Sequence, residues 1–386
     1  MADFHRRAWL EMDLDRLRRN TEFVGQQLSG GCAVMAVVKA DAYGQGAQIL
    51  GPALERFGVR HFGVATAQEG EALRAAGVTG EILVLAYTGA EQASSLLSSD
   101  LTQAVVGKQH ALALNEAARL AGGRLKVQIK LDTGMTRTGF DCVTEPQLDE
   151  AAAAYALDHL EVTGTFSHFS SSDDGREGAD DYTRMQLTRF LSALDGLTAR
   201  GAAVGARHIC NSGGAQKYPQ ARLDLVRCGA VLSGYNTAAG IEPWPLEPIA
   251  DWKASVSCVR EIGPGTPISY GRTFVAPHVM RVATLSIGYA DGYPRALSNK
   301  GRVLLHGRWA NLLGSVCMDQ MMVDVTAIDG VQEGDVATIL GRDGLLVQTA
   351  DDLAAQAKTC THEILSRFGS RLQRVYRENG AIVAIR

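Results

Sequence analysis

The chain has 386 residues, 46% of them hydrophobic, with 38 basic and 42 acidic side chains and a formal net charge of -4. That length supports two globular domains with full cores, and the near balance of charge gives no global field to hold a polyanion or an anionic membrane. Disorder and fibrous structure are excluded, the 42 glycines being scattered rather than periodic, and no nucleic-acid partner is expected.

In chain order, the N-terminus MADFHRRAWLEMDLDRL places charges where a signal peptide would carry its apolar core, so a cytoplasmic protein is expected. The densest apolar run, 33–38, is far shorter than the ~18 residues of a membrane span. Short runs rich in Val, Ile and Leu lie near 33–38, 61–65, 82–85, 102–106, 125–131, 159–166, 205–209 and 223–232, separated by amphipathic stretches rich in Ala, Leu, Glu and Arg. Continuous apolar runs read as strands buried on both faces, and eight of them with helical crossovers is the number at which a parallel sheet closes. The expected fold is therefore α/β, a (β/α)8 barrel; the alternative, an open doubly wound sheet, lacks a GxGxxG after any run. Pro243, Pro245 and Pro248 mark a stiff linker. Beyond it, alternating strands with Gly and Pro turns predict an antiparallel β domain, interrupted by one helix near 350–368. The expected domains are thus 1–240, the barrel, and 241–386, the β domain, with the first ten or so residues open to packing with the latter. Seven widely spaced cysteines without a CxxC pair read as reduced thiols, and no metal site is expected.

In a barrel of this kind the C-terminal strand ends form the active site. Lys39 directly follows the run AVMAVV. An ammonium is costly to desolvate there, a cost relieved by a depressed pKa or by covalent linkage to a carbonyl; the bland alternative is a lysine snorkelling at the strand mouth. The surrounding AVVKADAYGQG resembles the pyridoxal-phosphate signature of the alanine racemase family. KLDTGMTRTGF, HICNSGGA, DLVRCGAVLSGY, ISYGRTF, IGYADGYPR, VCMDQMMVDV and a terminal RLQRVY follow in the family's order across nearly the whole chain. The resemblance implies a barrel plus β domain, a homodimer with active sites at the subunit interface, a lysine-bound pyridoxal 5'-phosphate, an amino-acid substrate, and interconversion of L- and D-alanine for D-alanine supply.

Racemisation removes the Cα proton on one face and returns it on the other, which asks for two bases flanking a planar carbon. By resemblance these are Lys39 and Tyr270. A phenol ordinarily deprotonates near pH 10, so such a base needs nearby positive charge or hydrogen bonds; otherwise Tyr270 is a half-buried strand wall. Arg227 matches the residue facing the cofactor's ring nitrogen, where an arginine keeps its own proton and makes the ring a weaker electron sink; an ion pair with Asp224 is the alternative. His208 matches the histidine linking this arginine to the tyrosine base, or is a satisfied core histidine. Phosphate is expected on hydroxyls and amides, since no P-loop is present: Asn211, Ser212, Gly229 and Ala230 fit, and Tyr43 and His362 match family positions that contact it. His168 matches the residue near the cofactor ring. Arg137 matches the substrate-carboxylate arginine, Lys130 a lysine that many members carbamylate to orient that arginine, or else an exposed strand-end cation. Met318 matches a backbone contact to substrate from the other subunit, Asp319 a supporting carboxylate and Tyr289 an entryway tyrosine.

Three positions depart from the family pattern: Gln45 for histidine, Ser315 for arginine and His362 for tyrosine. The last leaves room beside the substrate for more than a methyl group, so serine racemisation is expected alongside alanine. A pyridoxal-phosphate decarboxylase of similar architecture is disfavoured by Arg227, and a non-catalytic cofactor carrier by the second domain and Tyr270.

Overall fold

The computed structural model describes every residue except 1–3, 5 and 29, so part of the N-terminal segment whose packing was in question lies outside the described residues. The chain divides into two compact units.

The first comprises 17–42 and 47–247. Following β1 (Ala8–Asp13), its strands are β2 (Ala33–Val37), β3 (His61–Val64), β4 (Glu81–Val84), β5 (Thr102–Val105), β6 (Leu125–Asp132), a short β7 (Phe140–Asp141), β8 (Leu160–Phe166), β9 (Ala206–His208) and β10 (Leu225–Cys228). They pair in parallel in the order β10-β2-β3-β4-β5-β6-β8-β9, with β7 beside β6. Across the remaining seam Asp224 N donates to Arg207 O and Arg227 N to Cys210 O, both at 3.1 Å. The result is the expected barrel, nearly closed, with a strand at each of the eight apolar runs. Its interior holds Met35, Leu83, Ala104, Phe166 and Leu225. Side chains two apart on a strand share a face, so Arg227 points the same way as Leu225, and Lys130 the same way as Gln128.

The second unit comprises 1–16, 43–46 and 248–386. The division in this region thus falls between Glu247 and Pro248. Its strands are β11 (Ala250–Ile262), β12 (Pro267–Ile268), β13 (Phe274–Val275), β14 (Met280–Leu285), β15 (Arg302–Leu305), β16 (Arg308–Leu313), β17 (Met321–Asp324), β18 (Val336–Asp343), β19 (Leu346–Gln348), β20 (Gln373–Glu378) and β21 (Ala381–Ile385). Ten strands form one sheet in the order β19-β18-β15-β16-β17-β14-β11-β1-β20-β21, antiparallel except that β1 runs parallel to β20. The alternation in β11 buries Ala250, Trp252, Ala254 and Val256, as period-two patterning requires. The expected late helix is two helices, Ala350–Ala357 and Thr361–Ser366, because Lys358 turns left-handed at φ 57° and ends the first. Among the described residues no helix is long and apolar enough to cross a membrane.

Candidate active site

In the barrel unit, Lys39 stands just past β2 and opens a helical turn, Lys39–Gly44. That turn is left-handed: Ala40, Asp41, Ala42 and Tyr43 have φ of 52° to 55°, and Gly44 73°. Each non-glycine residue in that region costs about 1–2 kcal/mol, so the segment is held from outside. Glu69 accepts from Ala40 N at 2.7 Å through one carboxylate oxygen and from Ala65 N at 2.7 Å through the other, and Asp41 accepts from Ala47 N at 2.8 Å. In the β unit Arg374 donates to Gly44 O (2.8 Å) and Tyr376 to Gln45 O (3.0 Å). A Cβ at Gly46 would meet the Tyr376 hydroxyl at 1.7 Å. Lys39 itself is exposed at the mouth; partial desolvation, then the Arg137 and Arg227 cations, push its ammonium below its ordinary pKa, against the opposing pull of Glu69.

Arg227 lies beneath the mouth, 3% exposed. Its Nη1 donates to His208 Nδ1 at 2.6 Å; its Nη2 faces Ser167 O (2.8 Å), His168 Nδ1 (2.9 Å) and Ile209 O (3.0 Å). Burial lowers its pKa to about 10, which leaves it a cation at neutral pH. Asp224, the alternative partner, is paired instead with Arg207 at 2.8 Å. Burial and then Arg227 hold both histidines well below the usual range, so both are neutral, with Nδ1 as acceptor and the proton on Nε2.

His208 is fully buried and spends that proton on Gln128 Oε1 at 2.7 Å. Gln128 is fixed in turn by Glu81 (3.1 Å), and Glu81 by His61 (2.9 Å). Both nitrogens of His208 are therefore used inside the barrel, and it does not reach outward as the expected link to a tyrosine. Of the two histidines on Arg227, His168 is the one whose Nε2 is not committed to this interior chain. Lys130 is 4% exposed rather than a strand-end surface cation. It donates to Thr138 O (3.0 Å) and Oγ1 (2.9 Å), and burial followed by Arg137 and Arg227 lowers its pKa to about 8. Arg137 itself is exposed in the loop after β6.

Asn211 caps the short helix Ser212–Lys217, accepting from Gly214 N at 2.8 Å and from Ser172 Oγ at 2.7 Å. Gly229 N donates to Ser212 Oγ at 3.2 Å, so that amide is taken up by the serine, and Ala230 follows in the same turn.

In the β unit Tyr270 sits at the start of a tight turn, Tyr270–Arg272, rather than in a strand, and is 74% exposed. Tyr289 and Met318 are tied together through the backbone: Tyr289 N donates to Cys317 O and Ala290 N to Met318 O, each at 3.0 Å. Beneath them lies buried Asp291, which accepts from Arg7 (2.8 and 3.0 Å), Arg371 (2.7 and 3.2 Å) and Gly288 N (2.9 Å). Burial alone would raise this carboxyl, yet these bonds hold it below its ordinary value. Arg371 also reaches Met318 O (3.3 Å) and Asp319 Oδ1 (2.7 Å), which fixes the wall carrying both expected residues. The His362 ring meets the Tyr43 ring edge-on at 5.5 Å.

The barrel thus brings Lys39, Lys130, Arg137, His168, His208 and Arg227 into one electrostatic set, and the β unit joins Tyr289, Met318 and Asp319 into another. Glu69, Gln128 and Asp291 are the supporting residues not singled out in the sequence. Glu69 ends a Thr66-x-x-Glu capping box and Gln128 lies two residues before Lys130 on β6; those were their signals.

Residues 12–237 match the family model described as alanine racemase, N-terminal domain, and 249–376 the one described as alanine racemase, C-terminal domain. The chain belongs to the alanine racemase family. An alanine racemase of Clostridium perfringens is 37% identical over 383 residues, 99% of this chain and 98% of that protein. The solved alanine racemase of Clostridium difficile superposes with a TM-score of 0.93 at 31% identity, covering 100% of this chain and 99% of that one. That of Bartonella henselae, solved with covalently bound pyridoxal phosphate, gives 0.85 at 28% identity over 96% of this chain and 99% of its own. The alanine racemase chemistry is an isomerisation, the interconversion of L- and D-alanine.

Proposed function

We propose that the chain racemises alanine with two bases, Lys39 of one subunit and Tyr270 of the second subunit of a homodimer, and with pyridoxal 5'-phosphate as cofactor. The observation that carries this reading is the buried Arg227 beneath Lys39's strand mouth: a guanidinium kept charged at neutral pH, with its Nε–H and one Nη1–H not spent on the two histidines and two carbonyls. The donor set fits the cofactor, since an amine biased toward its neutral form, a cation suited to a ring nitrogen and a capped turn of hydroxyls and amides are the groups that an aldehyde, a pyridine and a phosphate require.

Pyridoxal phosphate, when bound, supplies the conjugated ring that takes up the electrons left as the Cα proton departs. Lys39 would hold its aldehyde end, and Tyr43, Asn211, Ser212, Ala230 and His362 its phosphate, with Gly229 N orienting the Ser212 hydroxyl and His168 near the ring. Arg227 would face the ring nitrogen and keep its own proton, which would leave the ring a moderate electron sink. Arg137, together with the Met318 backbone of the second subunit, fixes the substrate carboxylate. Lys39 and Tyr270 exchange the Cα proton from opposite faces, and His168 joins Tyr270 to Arg227. Lys130, carbamylated by carbon dioxide, would place an anion beside Arg137 in place of a repelling cation. A cytoplasmic location belongs to the same reading.

Serine is a second substrate in this reading, favoured by His362, whose ring lies edge-on to Tyr43 where family members carry a tyrosine. A decarboxylase would gain from a carboxylate at the ring nitrogen, and the position that this reading gives to that contact carries Arg227. Chiral chromatography of L-alanine and L-serine in deuterium oxide tests the proposal. Both enantiomers of alanine should appear carrying α-deuterium, and Lys39→Ala should abolish the exchange together with the visible absorbance of added cofactor. Release of carbon dioxide, or unchanged alanine, overturns it.

A further inference from the structure

We infer that Ser315 is a positioning residue for Tyr270, a role that rests on the reading of Tyr270 as a base. Within its own subunit the Tyr270 ring is 74% exposed, so what that subunit can fix is the backbone that presents the ring. The residue before it, Ser269, has φ 66° and ψ -177°, a region essentially confined to glycine that costs on the order of 1–3 kcal/mol elsewhere. Gly271 and Arg272 follow at positive φ of 73° and 49°. A turn with two strained non-glycine residues flanking one side chain, Ser269 and Arg272, persists where its surroundings over-determine it.

Ser315 supplies that constraint from both sides. Its carbonyl accepts from Ser269 Oγ at 2.5 Å, and its own hydroxyl donates to Tyr270 O at 3.0 Å. The Thr273 hydroxyl lies 3.4 Å from the Ser315 hydroxyl, and Asn299 Nδ2 donates to Thr273 Oγ1 at 3.1 Å while its Oδ1 accepts from Gly314 N at 2.6 Å. Gly314 brings the two segments close enough for this: a Cβ there would stand 2.8 Å from Ile268 O and 2.8 Å from the Ser269 Cβ. Ile268 is anchored in the apolar cluster of Ala276, Met280, Val282 and Leu313, so the bracket connects the tyrosine's backbone to a rigid part of the sheet. The serine is the residue at which this chain departs from its family's usual arginine. A side chain that short can keep its hydroxyl on a neighbouring main-chain carbonyl; an arginine has no hydroxyl and a longer reach.

The test compares Ser315→Ala, Ser315→Thr, Ser269→Gly and Tyr270→Phe in the cofactor-loaded enzyme, with kinetics in both directions and carbon-13 spectra of ring-labelled tyrosine, the Tyr270 signal being the one lost in Tyr270→Phe. Ser315→Ala should lower kcat by on the order of tenfold or more, as a loosened reacting group does, with KM unchanged, and should move the Tyr270 signal toward that of a freely rotating tyrosine. Ser315→Thr should restore both. Ser269→Gly, which suits the backbone angle and removes the other hydroxyl, should resemble Ser315→Ala and serves if that variant fails to fold. A Ser315→Ala enzyme whose Tyr270 signal is unmoved, or whose kcat stays within about twofold of the parent, overturns the inference. Full racemisation by Tyr270→Phe would overturn the underlying reading of Tyr270 as a base, whatever the spectra show.

Discussion

A lysine with 4% of its surface exposed, bonded to a threonine and facing two arginines, is the least comfortable residue of the barrel unit. Its pKa of about 8 lies below the unfolded value of 10.5. Between those two the unfolded chain binds more protons, so stability rises with pH across that window; below about 8 both states are protonated and the full penalty stands. In buffer free of carbon dioxide, Lys130→Met should remove this dependence, and the parent should gain on the variant by up to about 3 kcal/mol between pH 8 and pH 10.5. Denaturant unfolding at several pH values reads it, and a flat difference would contradict burial as a cation. With labelled bicarbonate, a carbamyl carbon-13 resonance absent from Lys130→Met is expected. The same scale holds the substrate prediction: His362→Tyr should lower the serine-to-alanine rate ratio several-fold with little change in the alanine rate, and a ratio unchanged within error would remove His362 from specificity.

At the scale of elements, the left-handed turn after β2 and the polar chain through the barrel decide where the site's groups point. Of the residues Ala-Asp-Ala-Tyr only the aspartate visits positive φ at all readily; Glu69 holds Ala40 N and Arg374 holds Gly44 O from elsewhere in the chain. Glu69→Ala should therefore cost about 1–3 kcal/mol, on the order of hydrogen bonds to a charged acceptor, and displace Lys39 enough to weaken cofactor binding, as thermal melts and cofactor titration would show. A variant with parental stability and affinity would mean the turn holds itself. Gln128→Leu leaves the His208 Nε2–H without its acceptor. Arg227 still requires Nδ1 as an acceptor, so the tautomer should stay Nε2–H and the variant should lose about 1–3 kcal/mol for a buried donor left unpaired, as denaturant unfolding would show; parental stability would mean that Gln128 does not hold this histidine. The strands were legible because buried parallel strands are continuous apolar runs; Glu69 was not singled out, although it ends a capping box, because a cap does not announce a contact to a turn some thirty residues before it. The late helix was misjudged as one because the 350–368 periodicity runs on through Lys358, whose left-handed turn no pattern marked.

For the whole molecule, the proposed homodimer makes a quantitative prediction. If each site joins Lys39 of one subunit with Tyr270 of the other, Lys39→Ala and Tyr270→Phe subunits mixed after denaturation form dimers of which half are hybrids, each with one intact site. Activity should return to about a quarter of the parental value, by statistical pairing of two subunit types about a two-fold axis. Activity absent from the mixture would place both bases within one subunit.

The linear sequence by itself determined the barrel and the β unit after the prolines, because face-by-face burial is written as local periodicity; the reacting side chains it offers only through its resemblance to a family. The tertiary structure decided how those side chains are held. Lys130 is buried rather than exposed, His208 turns inward to Gln128, and Asp291 gathers Arg7 and Arg371 from opposite ends of the chain. Buried polar groups must find hydrogen-bond partners, and those partners lie dozens to hundreds of residues away, where no local pattern records the pairing.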